Sequence, residues 1–215
     1  KGISWLAKTE CMSDKEWNGS WWYSYDVSGE HEVYTNGEDI KDIRGVDTTS
    51  ALFIYLLYLD HKLEPSSSLA EKYKKNALAA ANFITCRNID TDSLSWSSYQ
   101  LNPDGKWDIY RCKYSSDQGD VYLGLRAAGE LYDSDMLSQT AEKIKNSSEK
   151  TFFSSARGRY CVGIENGAAD WSVDSFGPIQ SQGFLAWVWD SDNSGKAIHW
   201  LSDKVRKDGS ISCYK

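Results

Sequence analysis

The sequence predicts an all-α fold of about three and a half helix hairpins, repeated along the chain and joined by short β-hairpin turns. Three observations predict it. Three segments share one helical layout of equal length. Each is followed by a turn and a second helical pattern. Each second pattern runs into a glycine turn with aromatic or apolar residues close behind. Self-similarity of this kind is the mark of stacked repeats, in which no unit can bury its apolar face alone.

The first helices come in order. Asp47 opens one through Ala51, Ile54, Tyr55 and Tyr58, stopping at Leu59-Asp60. Asp120 opens the next through Val121, Leu125, Ala128 and Leu131, stopping at Tyr132-Asp133. Gly177 precedes the third, through Phe184, Leu185, Val188 and Trp189, which stops at Asp190. The offsets agree, since 60 − 47, 133 − 120 and 190 − 177 all equal 13. These apolar residues recur at helical spacing.

The second helices follow. Ser68-x-x-Glu71 reads as a capping box, with Leu69, Tyr73, Ala77, Ala81 and Ile84 behind it. The next two share an Asp-Ser-Asp turn, at Asp133-Ser134-Asp135 and Asp190-Ser191-Asp192. They continue through Leu137, Ala141 and Ile144, and through Ala197, Trp200, Leu201 and Val205. Gly105, Gly158 and Gly209 then supply the backbone freedom of tight turns. The amino terminus reads as the tail of a further unit. Lys1–Leu6 matches Lys196–Leu201 at four of six positions, and Asn18-Gly19-Ser20-Trp21 parallels Asp208-Gly209-Ser210-Ile211. Residues 1–215 are expected to form one repeat domain, or a segment of a larger toroid or protein.

Composition narrows the function. With 24 basic and 31 acidic residues the net charge is −7, which argues against a nucleic-acid partner. The longest apolar run, Ala51 to Leu59, is far short of the ~20 residues that span a bilayer. Ten Trp and thirteen Tyr exceed what a core of this size requires. Such rings join a flat apolar face to a polar edge, and sugars stack on them. Cys11, Cys86, Cys112, Cys161 and Cys213 form no C-x-x-C pair, so no zinc ribbon or thioredoxin-type motif is available. Two bridges and one thiol, or five thiols, both fit. The start at Lys1 rather than Met reads as a processed product or an excised segment. With the acidity and the Tyr, Trp, Ser and Asn richness it goes with an extracellular or cell-surface setting, to which the two N-x-S/T sequons at Asn18 and Asn146 add little.

The hairpin pattern resembles the α/α-toroid superfamilies: six-hairpin glycosidases, polysaccharide lyases and the terpenoid cyclase and prenyltransferase toroids. Gln100-Leu101-Asn102-Pro103-Asp104-Gly105-Lys106-Trp107 is similar to the cyclases' Q-x-x-D-G-x-W repeat with one residue added. The cyclases' Asp-x-Asp-Asp acid is missing, and His31, His61 and His199 have no prenyltransferase-like zinc spacing with a cysteine. The carbohydrate-active toroids are the better match. In those families the inner-helix amino termini and preceding loops form the cleft. The resemblance therefore implies catalytic roles for Asp120, Asp117 and Asp47, and a substrate-binding role for Asp174.

The plainer reading of Asp47 and Asp120 is helix N-capping. The functional one is a pair of carboxylates for glycoside hydrolysis, ~5–5.5 Å apart for retention or ~6.5–9.5 Å for inversion. Trp21, Tyr23 and Tyr25 alternate, which would put three rings on one strand face, and Trp107, Tyr110 and Tyr114 follow Gly105. Trp21, Tyr23, Trp107, Tyr110 and Trp171 are thus candidate sugar platforms, with a lid over the helix ends as the plainer reading. His31, between two glutamates, reads as a solvated loop residue or a proton carrier. A lyase would add a cation beside the uronate, for which Arg111, Arg126 and Arg159 are available. No phosphate loop, dinucleotide fingerprint, nucleophile elbow or metal cluster is present, so no cofactor and no metal is expected. The leading expectation is a glycan-cleaving hydrolase or lyase. The competitors are a non-catalytic glycan- or protein-binding module and a subunit that self-associates end to end.

Overall fold

The computed structural model describes residues 1–35, 39–173 and 176–211. The helices are α1 (Gly2–Thr9), α2 (Asp47–Leu63), α3 (Leu69–Lys72), α4 (Lys74–Phe83), α5 (Ser115–Leu131), α6 (Asp135–Phe152), α7 (Phe176–Val188) and α8 (Asp192–Ser202). A π-helical turn, Ile84–Asn88, follows α4 directly. Strands β1 (Asp42–Arg44), β2 (Ser98–Leu101) and β3 (Trp107–Tyr110) form one antiparallel sheet in that order. β4 (Cys112–Tyr114) pairs with β7 (Gly163–Glu165), which pairs with β8 (Ala168–Asp170). β5 (Phe153–Ser154) and β6 (Arg159–Tyr160) make a third, two-stranded ladder.

The helices pair as the repeat predicts. α2, α5 and α7 form an inner row in which α5 packs against both neighbours. α3 and α4 return along α2, α6 along α5, and α8 along α7, while α1 packs on the outside of α2. The small residues of α5 allow the close approach. A Cβ at Gly124 would stand 2.6 Å from the Ala51 carbonyl oxygen, so only glycine lets α2 come this near. Between the rows lies a core of Trp21, Phe53, Ile54, Leu57, Leu125, Ile144, Phe152, Tyr160 and Trp189. Each such side chain contributes roughly 1.5–3 kcal/mol by leaving water.

Four expectations need correction. The second inner helix begins at Ser115, not Asp120, because Tyr114 leaves β4 directly into it and its carboxyl-terminal neighbours are already helical. The capping box is not made: Ser68 forms no side-chain cap bond, and the helix breaks at Tyr73 into α3 and α4. Residues 21–25 do not form a strand with three rings on one face. Trp21 turns inward to complete burial and donates its indole N–H to Leu6 O at 2.9 Å. Tyr25 donates to Thr9 O, and Tyr23 stays exposed. The turn before them requires Gly19, which has φ of 89° and a Cα so close to α4 that a Cβ would lie 2.1 Å from Ala79 O.

The fourth correction concerns the repeat register. Gln118 accepts the Ser95 N–H at 2.7 Å and donates to Ser95 O at 3.1 Å and Tyr114 O at 3.0 Å. Gln182 repeats this, accepting the Tyr160 N–H at 2.8 Å and donating to Tyr160 O at 3.0 Å and Pro178 O at 2.9 Å. Ser50 makes a shorter version, donating to Val46 O at 3.3 Å and Gly19 O at 3.4 Å. These contacts put equivalent positions 118 − 50 = 68 and 182 − 118 = 64 residues apart, where the stop aspartates give 73 and 57. Helix ends drift with loop length, whereas a side chain that satisfies a buried loop backbone must keep its place.

Candidate functional site

The inner helices α2 and α5 begin beside each other because both grip one segment, Ser95–Ser98. Gln118 holds Ser95, as described. The Asp47 backbone N–H donates to Ser97 O at 3.1 Å. From the π turn, fully buried Asn88 donates to Gly45 O at 3.0 Å and Trp96 O at 3.1 Å, tying the approach to α2 to the same segment. The two helix starts are thus fixed by hydrogen bonds to a common segment just before β2, and their acidic residues converge.

Asp47, Asp117 and Asp120 are the result. Asp47 is fully buried. Its Oδ1 accepts the Thr48 N–H at 2.7 Å, and its Oδ2 is buried with no hydrogen-bond partner among the described residues. Burial first, and then the charge of Asp117, push its carboxyl well above the ordinary range. Asp117 is partly exposed and is raised to about 6 by burial, opposed by the hydroxyls of Ser116 and Ser97. Asp120, also partly exposed, is pushed up to about 7 by burial and by Asp117. Asp47 also feels the charge of Asp120. Three carboxyl groups therefore share one poorly solvated place, and they cannot all ionise together at neutral pH.

A cavity of about 230 Å³ opens next to this cluster, although none of the three carboxyls lines it. Val46 and Ser97, next to Asp47 and Asp117, form its inner wall. Tyr23, Tyr34, Tyr110 and Tyr114 supply most of the rest, with Ile43 and Ser98 from the sheet. Tyr23 and Tyr34 meet edge to face at 4.8 Å, and Tyr110 and Tyr114 adjoin each other along the same wall.

The predicted binding residues divide. Tyr23 and Tyr110 line this cavity. Trp107 does not, because strand side chains alternate and positions 107 and 110 point to opposite faces of β3. Trp107 instead packs against Trp17 at 5.3 Å and Trp22 at 5.7 Å, on the far side of the sheet. Trp21 is a core residue with no surface for a ligand. Trp171 lies elsewhere, with Arg157 and Arg159 over its ring at 5.0 and 5.4 Å. Asp174 and Cys213 lie outside the described residues. Cys11, Cys86, Cys112 and Cys161 are free thiols. His31 is stacked on Trp22, ring centroids 3.7 Å apart, with Nε2 at 2.8 Å from Asp42 Oδ2, and it does not line the cavity. Sequence reasoning missed Tyr34, Ile43 and Ser97, which carry no local motif. Among the described residues no group of His, Cys, Asp and Glu is arranged to hold a metal ion, and no helix is long and apolar enough to cross a membrane.

Neither a protein-family model nor a curated protein sequence matches this chain. Solved structures do. The cellobiose 2-epimerase from Bacillus thermoamylovorans B4167 superposes with a TM-score of 0.60 at 12% identity, over 94% of this chain and 56% of that one. A rhamnosidase from Klebsiella oxytoca, solved with rhamnose bound, gives 0.54 at 15% identity, over 84% of this chain and 34% of that one. This chain shares the α/α-toroid fold of these two structures. It spans little more than half the length of the first relative and about a third of the second. Within the toroid, the acid cluster sits at the amino-terminal ends of the inner helices α2 and α5.

Proposed function

We propose that this protein is a glycan-cleaving enzyme, a glycoside hydrolase whose acids are Asp120 and Asp117. The single observation that carries the reading is the convergence of three aspartates with raised pKa values beside a tyrosine-lined cavity. Perturbed acids in a cleft are the usual sign of acid–base chemistry. Hydrolysis of a glycoside requires one carboxyl that keeps its proton and one that has lost it. Asp120, raised to about 7, is the group to protonate the leaving oxygen. Asp117, at about 6, is the ionised partner that acts as nucleophile or as base toward water. Asp47, fully buried, acts through Asp117 as a positioning residue rather than by touching substrate.

The test is incubation with a polysaccharide panel, scored for reducing ends and for unsaturated products. New reducing ends without unsaturation, abolished in a folded Asp120→Asn variant, support hydrolysis. Unsaturated products would replace it with elimination. A panel left uncut would favour the binding-module reading. The rate should peak between about pH 6 and pH 7, since Asp117 must be ionised and Asp120 protonated.

A further inference from the structure

The charges around the acid cluster carry one step more, which rests on the glycan-acting reading above. Three carboxyl groups converge, and burial and mutual repulsion alone raise Asp120. Asp117 is opposed only by two serine hydroxyls. No lysine, arginine or histidine among the described residues neutralises either one. The groups facing the cluster are Asp47 from α2, Asp117 and Asp120 from α5 and Cys112 from β4, with Tyr114 of β4 and Tyr110 of β3 beside Cys112. Glu165 of β7 stands behind Cys112 and Tyr110. From α7, the neighbours of α5 at Gly119 are the apolar Phe184 and Leu185.

Lys41 and Arg111 follow the lining residues Ile40 and Tyr110 in sequence without themselves lining the cavity, and two further cations of this region are engaged elsewhere. Lys113 on β4 is buried between Asp90 and Asp92, at 2.8 and 2.7 Å. Arg44 on β1 points to the face of the sheet opposite Ile43, where it lies over Trp17 and Trp22 at 4.6 and 4.4 Å. The cavity wall itself holds four tyrosines, three aliphatic residues and two serines. Burial holds the Tyr110 and Tyr114 phenols above their ordinary range, so both remain neutral donors and acceptors. A volume of about 230 Å³ is below the ~300–1,000 Å³ of pockets for drug-sized ligands, and suits a single ring.

We infer that this site takes an uncharged sugar ring and rejects uronates, because no cation lines the cavity to receive a sugar carboxylate and the acid cluster, with no cation of its own, stands behind the Val46 and Ser97 wall. Tyrosine faces offer apolar contact to the ring carbons. Hydroxyls of Tyr110, Tyr114, Ser97 and Ser98 offer hydrogen bonds to the sugar hydroxyls. Specificity arises from the repulsive element as much as from the attractive one. Tyr110 and Tyr114 are the positions that distinguish a hydroxyl-bearing ring from an apolar one.

The test is titration calorimetry of the full chain with two disaccharides of one linkage, a neutral glucose disaccharide and its glucuronic-acid counterpart, at pH 7.5 and pH 4.5. The neutral sugar should bind at least about tenfold more tightly at pH 7.5. At pH 4.5 Asp117 and Asp120 are protonated while the uronate stays ionised, so the gap should narrow several-fold through tighter uronate binding. This wild-type comparison does not depend on any variant folding. An Asp117→Asn variant should narrow the gap at pH 7.5 in the same direction. Equal or tighter uronate binding at pH 7.5 overturns the inference, and if that sugar is also cleaved the glycan-acting reading survives. Absence of binding by any member of a neutral and uronate oligosaccharide panel overturns both.

Discussion

Replacing Asp120 by asparagine should change the pH dependence of stability as well as activity. Asp120 is raised from an ordinary 3.8 to about 7 by burial and by the neighbouring charge of Asp117. A carboxyl raised on folding binds its proton more tightly folded than unfolded. Its contribution is therefore fully present below about pH 4 and is lost as pH rises to about 7. About three units at about 1.4 kcal/mol each is roughly 4 kcal/mol, and partial exposure of the side chain reduces this to roughly 2–4 kcal/mol. Asparagine has a similar shape and cannot ionise. Relative to wild type, Asp120→Asn should thus gain roughly 2–4 kcal/mol between pH 4 and pH 8. In a domain of this size that is a differential shift of roughly 4–16 °C in Tm. Urea unfolding or scanning calorimetry of both proteins at both pH values measures it. If the Tm difference between variant and wild type is the same at pH 4 and pH 8, Asp120 is not held in a desolvated acidic cluster, and its assignment as the proton donor loses its physical basis.

Other substitutions probe the frame that brings the acids together. Gln118→Ala leaves the Ser95 N–H and O and the Tyr114 O without their partner in a buried setting, and should cost roughly 2–4 kcal/mol by urea denaturation. Gln182→Ala should cost a similar amount while leaving the acid cluster intact, so only the first should alter the pH–rate profile. Gly124→Ala would drive a methyl to 2.6 Å from the Ala51 carbonyl, force α2 from α5 and cost roughly 1–3 kcal/mol in thermal unfolding. Among the four described thiols, Cys86 is exposed, while Cys112 and Cys161 are buried and pushed up to about 11. A thiol-disulfide reagent at pH 8 should modify Cys86 at least tenfold faster than either buried thiol, as read by mass spectrometry of the labelled peptides.

The helices were legible because helix burial leaves a periodic trace. Ala51, Ile54 and Leu125 announce their faces by spacing, and Asp133-Ser134-Asp135 announces its turn by composition. What failed depends on contacts distant in sequence. Ser115 begins α5 because β4 and β7 pair across some fifty residues, and nothing near Ser115 records that. Trp21 looked like its neighbour Tyr23, yet Leu6 O and Phe53 draw one indole inward while the other ring stays out. Trp107 and Tyr110 shared a turn and a composition. An odd separation on one strand was enough to send them to opposite faces, and that parity could have been read in advance.

The acids were found for a different reason. Asp47 and Asp120 were chosen as residues at inner-helix starts, but they are not equivalent in the repeat. The glutamine register aligns Asp47 with Ser115, not with Asp120. They meet because α5 begins a turn early and passes Gly124 against Ala51, bringing the residue one turn before each into the same layer. The cluster thus depends on a mismatch between repeat register and packing register. A perfectly periodic toroid would have placed Ser115 beside Asp47's neighbours and left Asp120 a turn too deep. It follows that Gly124, far from any substrate, sets the distance between acids. The same Gly124→Ala variant that costs stability should move both limbs of the pH–rate profile toward lower pH, because parting α2 from α5 admits water and relieves the burial that raises Asp117 and Asp120. A variant with altered stability and an unchanged profile would mean that the cluster is built by the Ser95–Ser98 clamp alone.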